Sequence, residues 1–213
     1  DAAMALDPGA LVDPKTLRDH ARALVATGKL AAAAEVYRTL VPRAALLPAR
    51  GATAVQLEAA FAVMGAAEAG PKTELAAHLA EVVSYLAEAR GDEAAPERGD
   101  VLLASALVHD RLGEAAKASA FLSDAAKTGL VPRDATAPYA ASRADADALA
   151  ALGLEARDPK AAAAAWEKYL AAAKGSPFEA AARARLAALP KGAASKPAQK
   201  SDAPKPRPKK AKP

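Results

Sequence analysis

Apolar positions along this chain recur with a helical period. In the segment opened by Asp13, the residues Leu17, Ala21 and Leu24 share one face, and Lys15, Arg18 and Arg22 fall between them. Spacings of three and four residues predict an amphipathic helix rather than a strand. Asp13-Pro14 supplies its start, because an acid at the N-cap accepts a free backbone N–H and proline at the first helical position has none to leave unsatisfied. Gly28 ends the run, and a second face, Leu30, Ala33, Tyr37 and Leu40, follows until Pro42 stops it. Two helices joined by a glycine turn predict an antiparallel hairpin.

The same design returns twice. Leu102, Ala106 and His109 precede Gly113, and Ala118, Leu122 and Ala125 follow it. Leu149, Leu152 and Gly153 precede Asp158-Pro159, and Ala165, Tyr169 and Ala172 follow before Pro177. Between the first and second units, VQLEAAFAVMGAAEA and TELAAHLAEVVSYLAEARG read as two helices joined by Gly70-Pro71, the later one with Leu75, Leu79, Val82 and Leu86 in register. No repeat motif can be laid on this pair, which is expected to complete the array as a degenerate hairpin. GDEAAPERGD at 91–100 and LVPRDATAPYAAS at 130–142 are expected to be loops. SPFEAAARARLAAL at 176–189 predicts a final helix capped by Ser176, with Pro177 at its first position and Phe178, Ala182, Leu186 and Leu189 covering the last unit.

Composition sharpens this picture. The 213 residues are 52% hydrophobic but only 4% aromatic, so most of the apolar content is alanine. Alanine is the strongest helix former and the β-branched residues are scattered, which predicts an all-α fold. Small side chains bury little area each, so the core must come from many helices crossing closely.

The three units resemble the tetratricopeptide repeat, a helical hairpin of about 34 residues in which small residues let the two helices touch. The last unit carries the fullest match: LxxLG at Leu149–Gly153, then Ala165, Tyr169 and Ala172, then Pro177. The small residue of the first helix falls on Ala21, Ala106 and Gly153, and that of the second helix on Ala33, Ala118 and Ala165. The aromatic four residues later is Tyr37 or Tyr169, with Leu122 in the middle unit, whereas the family's usual first-helix tryptophan and tyrosine are replaced by leucine, alanine or histidine. The resemblance implies an α-solenoid of stacked hairpins over residues 13–189, with a C-terminal capping helix and a flexible segment at 1–12. It also implies that the first helices line a concave groove. Lys15, Arg18, Arg22, Leu103, Leu107, Asp110, Asp147, Leu154 and Arg157 would point into that groove to hold a protein or peptide partner. The three basic residues suit an acidic peptide or a C-terminal carboxylate, although the asparagines of the family's carboxylate-clamp members are absent. Arg38, on a second helix, is expected to face outward.

Charge is unevenly distributed. Residues 190–213 hold eight Lys or Arg against one acid, a net of +7, so the remainder carries −3. Dense proline and lysine with no aliphatic residue larger than alanine predict a disordered tail that cannot build a core. A second functional expectation follows: a polyanion (DNA, anionic lipid or cell-wall polymer) bound through Lys196, Lys200, Lys205, Arg207, Lys209, Lys210 and Lys212. The tail has no aromatic residue, so such binding would be electrostatic and blind to base sequence.

Residues that could carry chemistry are scattered. His20, His78 and His109 sit on three different predicted helices with no HxxxH or HExxH spacing, and His20 and His109 fall on packing faces, so core histidines are expected. Asp92-Glu93 and Asp145/Asp147 read as solvated acids, Trp166 as a core residue, and no serine or glycine lies in a nucleophile elbow or phosphate loop. No cysteine is present, which excludes disulfides and thiolate metal sites. No apolar run approaches the roughly 20 residues of a membrane helix. The expectation is therefore a non-enzymatic scaffold without cofactor or metal. The chain begins DAAMALDPG rather than with methionine, and this suggests an exported or lipid-anchored product, in the periplasm or at the outer membrane, serving assembly of a bacterial envelope complex; a cytoplasmic location is the alternative. Deletion of 190–213 should leave the melting temperature within a few degrees of the full chain, and a larger drop would mean that the tail docks on the body.

Overall fold

Where each helix starts and stops follows from its end residues. The structure, a computed structural model, describes residues 13–47, 51–128 and 139–190; the expected flexible segment 1–12, most of the loop at 130–142 and the basic residues from 191 onward lie outside them. Helix α1 (Pro14–Ala26) has Asp13 as N-cap, its carboxylate accepting from the Thr16 N–H at 3.0 Å. At its other end Gly28 takes φ 72°, and the Lys29 N–H reaches back to the Leu24 carbonyl at 2.9 Å. That left-handed conformation suits glycine, which has no Cβ to clash. Helix α2 (Leu30–Leu40) returns against α1. Pro42 does not stop the chain there: α2 runs on into a 3₁₀ helix (Val41–Leu46), whose first turn can hold a proline because its N–H would be unpaired anyway.

Three more hairpins follow in order. They are α3 (Gly51–Ala69) with α4 (Leu75–Ala89), α5 (Arg98–Arg111) with α6 (Ala115–Lys127), and α7 (Arg143–Leu154) with α8 (Pro159–Ala172). A last helix, α9 (Glu179–Ala188), packs on α8. The described residues are thus all helical, packed in neighbouring pairs, and contain no strand. Gly113 repeats the turn of Gly28 at φ 76°, with the Glu114 N–H on the His109 carbonyl at 2.8 Å. The α7–α8 turn does without a left-handed glycine. There Asp158 caps α8 by accepting from the Ala161 N–H at 3.0 Å. Two boundaries differ from the sequence reading: α5 begins at Arg98, inside the expected loop, and α9 begins at Glu179 rather than at Pro177.

Fourteen of the nineteen residues of α3 are buried, as are eleven of the fourteen of α5. A helix hydrophobic all round belongs in an interior, and AAFAVMGAA and VLLASALV lie there. One side of α3 joins Leu17, Leu24, Tyr37 and Leu40 of the first hairpin through Val55, Ala59 and Ala62. Its other side joins the larger core through Leu57, Phe61 and Met64, with Leu86, Leu107 and Trp166 beyond. Helix α3 therefore welds the first hairpin to the rest. Close approach is visible at Gly65, where a Cβ would lie 2.6 Å from Leu30 Cδ1.

The last hairpin, α7–α8, corrects the expected register of small residues. The fourth residues of α2, α6 and α8 are Ala33, Ala118 and Ala162, each 0% exposed. Four residues on stand Tyr37, Leu122 and Trp166. Ala165, Gly153 and Leu122 are only half-buried and Ala172 is exposed. The matching positions in the last unit thus lie three residues before those expected. Three residues are close to one helical turn, so both registers present almost the same face. Ala162→Leu should cost about 1–3 kcal/mol, since added volume at a tight crossing forces the helices apart. Ala164→Leu, exposed on the same helix, should stay within about 0.5 kcal/mol of the parent in denaturant unfolding.

Candidate functional site

A cleft of about 480 Å³ opens where the α5–α6 hairpin meets α7 and α9. Leu103 of α5, Leu122 of α6, Leu152 of α7 and Leu189 after α9 give it apolar walls, and Ser119 and Ser123 stand on the α6 side. The hydrophobic period places Leu103, Leu122 and Leu152: each belongs to an inward face whose outer edge meets no further helix among the described residues. At one end the lining becomes polar. Arg185 Nε donates to Asp110 Oδ1 at 2.8 Å and its Nη1 approaches Glu155 Oε2 at 3.5 Å. Trp166 Nε1 donates to Glu155 Oε1 at 2.9 Å. Burial raises the Glu155 pKa above the ordinary carboxylate value, opposed by the hydrogen bond from Trp166 and the charge of Arg185. Trp166 itself is 1% exposed and stands edge-on to Tyr169, as a core residue should.

The expected groove residues do not converge on one open face. Leu103 and Arg157 do line this cleft, Leu103 at its floor and Arg157 exposed at its edge. Leu107 is 2% exposed in the core, Leu154 is half-buried outside the cleft lining, and Lys15 is exposed on α1. Asp110 is taken by Arg185. Asp147 is 3% exposed and paired with Lys168 at 2.6 Å, so it is buried rather than solvated. The tail residues Lys196, Lys200, Lys205, Arg207, Lys209, Lys210 and Lys212 lie outside the described residues.

Arg18 and Arg22 do bind a carboxylate, and it belongs to the chain. Glu58, 5% exposed on α3, accepts from Arg18 Nη2 at 2.8 Å and Arg22 Nη2 at 2.6 Å, and Tyr37 donates to its other oxygen at 3.2 Å. Burial, reinforced by Glu58, holds the Tyr37 phenol well above its ordinary pKa. A second cleft, of about 360 Å³, lies beside this cluster between Arg22, Tyr37, Glu58 and Tyr139. Arg38 likewise faces a neighbour instead of solvent, with Nη2 on Glu81 of α4 at 2.8 Å. The sequence pattern placed these arginines opposite an apolar stripe, and it carries no sign that a later helix packs there.

The deepest polar contact was also missed. Arg111 and Asp145 pair at 2.6 Å with side chains 1% and 0% exposed. Burial disfavours the charged guanidinium, but Asp145, helped by Tyr169 and Glu68, leaves the Arg111 pKa above its ordinary value. Asp145 had read as a solvated helix-start acid; its placement depends on Arg111, 34 residues earlier. His109 is buried, stacked on Phe121 at 5.2 Å between ring centroids and bonded to Glu114. Among the described residues no His, Cys, Asp and Glu cluster could hold a metal ion. No helix there is long and apolar enough to cross a membrane.

No protein-family model, curated protein or solved structure matches the chain. Reversing Arg18 and Arg22 to glutamate should destabilise the fold by about 3–5 kcal/mol, because Glu58 would remain buried beside like charge. Glu58→Gln in the same background should recover most of the loss in denaturant unfolding. Full stability in the double reversal would show that water reaches Glu58.

Proposed function

We propose that this chain is a non-enzymatic adaptor: stacked helical hairpins of tetratricopeptide type, closed by a capping helix, that hold a segment of a protein partner in the α5–α6/α7–α9 cleft. One observation supports this above others. The cleft is apolar and open, with Ser119, Ser123 and Arg157 exposed along it, while Arg185 and Glu155 at its polar end are held by Asp110, by Trp166 and by each other. A ligand entering it gains by covering leucine. The basic tail leaves from Pro190 on the rim but has no aliphatic side chain larger than alanine to fill the space. A leucine-sized anchor on a separate chain suits the walls, and exposed Arg157 suits an acid beside that anchor.

Ser119→Arg with Ser123→Arg would fill the mouth of the cleft from an exposed helix face. For a partner recovered with the parent protein, binding should weaken at least tenfold, about 1.4 kcal/mol, with the melting temperature unchanged. Equal binding by the filled variant would remove the cleft from the function. The charge of +7 on residues 190–213 supports a second reading, polyanion binding through the tail. Titrating the full chain and a 1–189 chain against DNA and anionic vesicles separates the two, since tail binding should vanish on truncation and fall steeply with salt.

A further inference from the structure

The junction between α4 and α5 carries two arginines whose recorded partners are all neutral. Arg90, which caps α4, donates from Nη1 to Ser105 Oγ at 3.1 Å, and its guanidinium lies 4.8 Å from the centre of the Phe121 ring. Arg98, the first residue of α5, donates from Nη1 to the Arg90 carbonyl at 2.5 Å. Both are half-buried. Arg18, Arg38, Arg111 and Arg185 each face a carboxylate; Arg90 and Arg98 form no ion pair among the described residues. Burial and then the charge of Arg98 lower the Arg90 pKa below its ordinary value, as expected for a cation with no anion beside it.

We propose that Arg90 and Arg98 form a receptor for a small oxyanion, a phosphate or a carboxylate. A guanidinium has five N–H donors in a rigid fork, and the contacts described use one on each residue. The neutral contacts still fix both groups in place: Ser105 is itself anchored by donating to the Val101 carbonyl at 2.7 Å, and the Phe121 face supports the Arg90 plane. Two neighbouring guanidiniums with donors to spare offer the bidentate contacts that either anion accepts. An arriving oxyanion would also relieve the repulsion between them. This inference does not depend on the adaptor reading or on the cleft.

The test replaces chloride with phosphate, and separately with acetate, at constant ionic strength. It follows the melting temperature and the NMR signals of the arginine Nε–H groups and the Phe121 ring. Phosphate, acetate or both should raise the melting temperature of the parent along a saturable curve and shift those signals. The relative strength of the two responses shows whether the site prefers a phosphate or a carboxylate. Arg98→Gln should weaken the response at least tenfold, Arg98→Lys should retain part of it, and Lys160→Gln, an exposed cation on α8, should leave it intact. If Arg90→Gln fails to fold after losing its Phe121 contact, the Arg98 variants still decide. No saturable response to either anion, or an equal response in Arg98→Gln, overturns the proposal.

Discussion

One ion pair sits where most of this molecule meets. Arg111, at the end of α5, reaches Asp145 on α7 at 2.6 Å and Met64 Sδ on α3 at 3.2 Å, and its guanidinium lies 4.1 Å from the Phe178 ring at the start of α9. Removing either charge would strand the other in a dry interior, which is far more costly than the pair itself is stabilising. Three hairpins and α9 must therefore be correctly placed for a single guanidinium to make these contacts. A buried pair of this kind selects among arrangements more than it adds stability.

That selectivity answers a difficulty of the alanine-rich interior. Small, similar side chains pack closely but distinguish poorly between neighbouring registers, since sliding by one turn replaces alanine with alanine. Charged cross-links remove the ambiguity. Arg18 and Arg22 meet Glu58 between α1 and α3, Asp147 meets Lys168 between α7 and α8, and Asp110 meets Arg185 between α5 and α9. Each acid has little exposure, so a misplaced partner would leave a costly orphan. Alanine permits the approach and the ion pairs choose where it occurs.

The same economy shapes the exposed features. Most buried acids are used in joining helices, and the large cleft is consequently walled by leucine with its polar end internally bonded. Such a surface underlies the proposal that the cleft holds another chain. Arg90 and Arg98 are the contrasting case, cations oriented by a hydroxyl, a carbonyl and an aromatic ring.

Local order was legible in the sequence because it depends on local rules. Asp13-Pro14 and Gly28 bound α1, Gly113 turns the α5–α6 hairpin, and Leu79, Val82 and Leu86 face inward along α4. Each follows from capping, from backbone conformation at glycine, or from helical period, and none needs a distant partner. The small-residue register of the last hairpin was less secure, since Ala162 and Ala165 lie almost one turn apart in a run of alanines. The destinations of the charges were not legible at all. Arg18 and Glu58 are 40 residues apart, and Asp110 and Arg185 are 75. A periodic pattern identifies the face of a helix that must be buried, but an arginine on the opposite face looks solvated until another helix is known to cover it. Tertiary packing decided which acids are buried, which cations remain without one, and where the leucine edges leave a cleft.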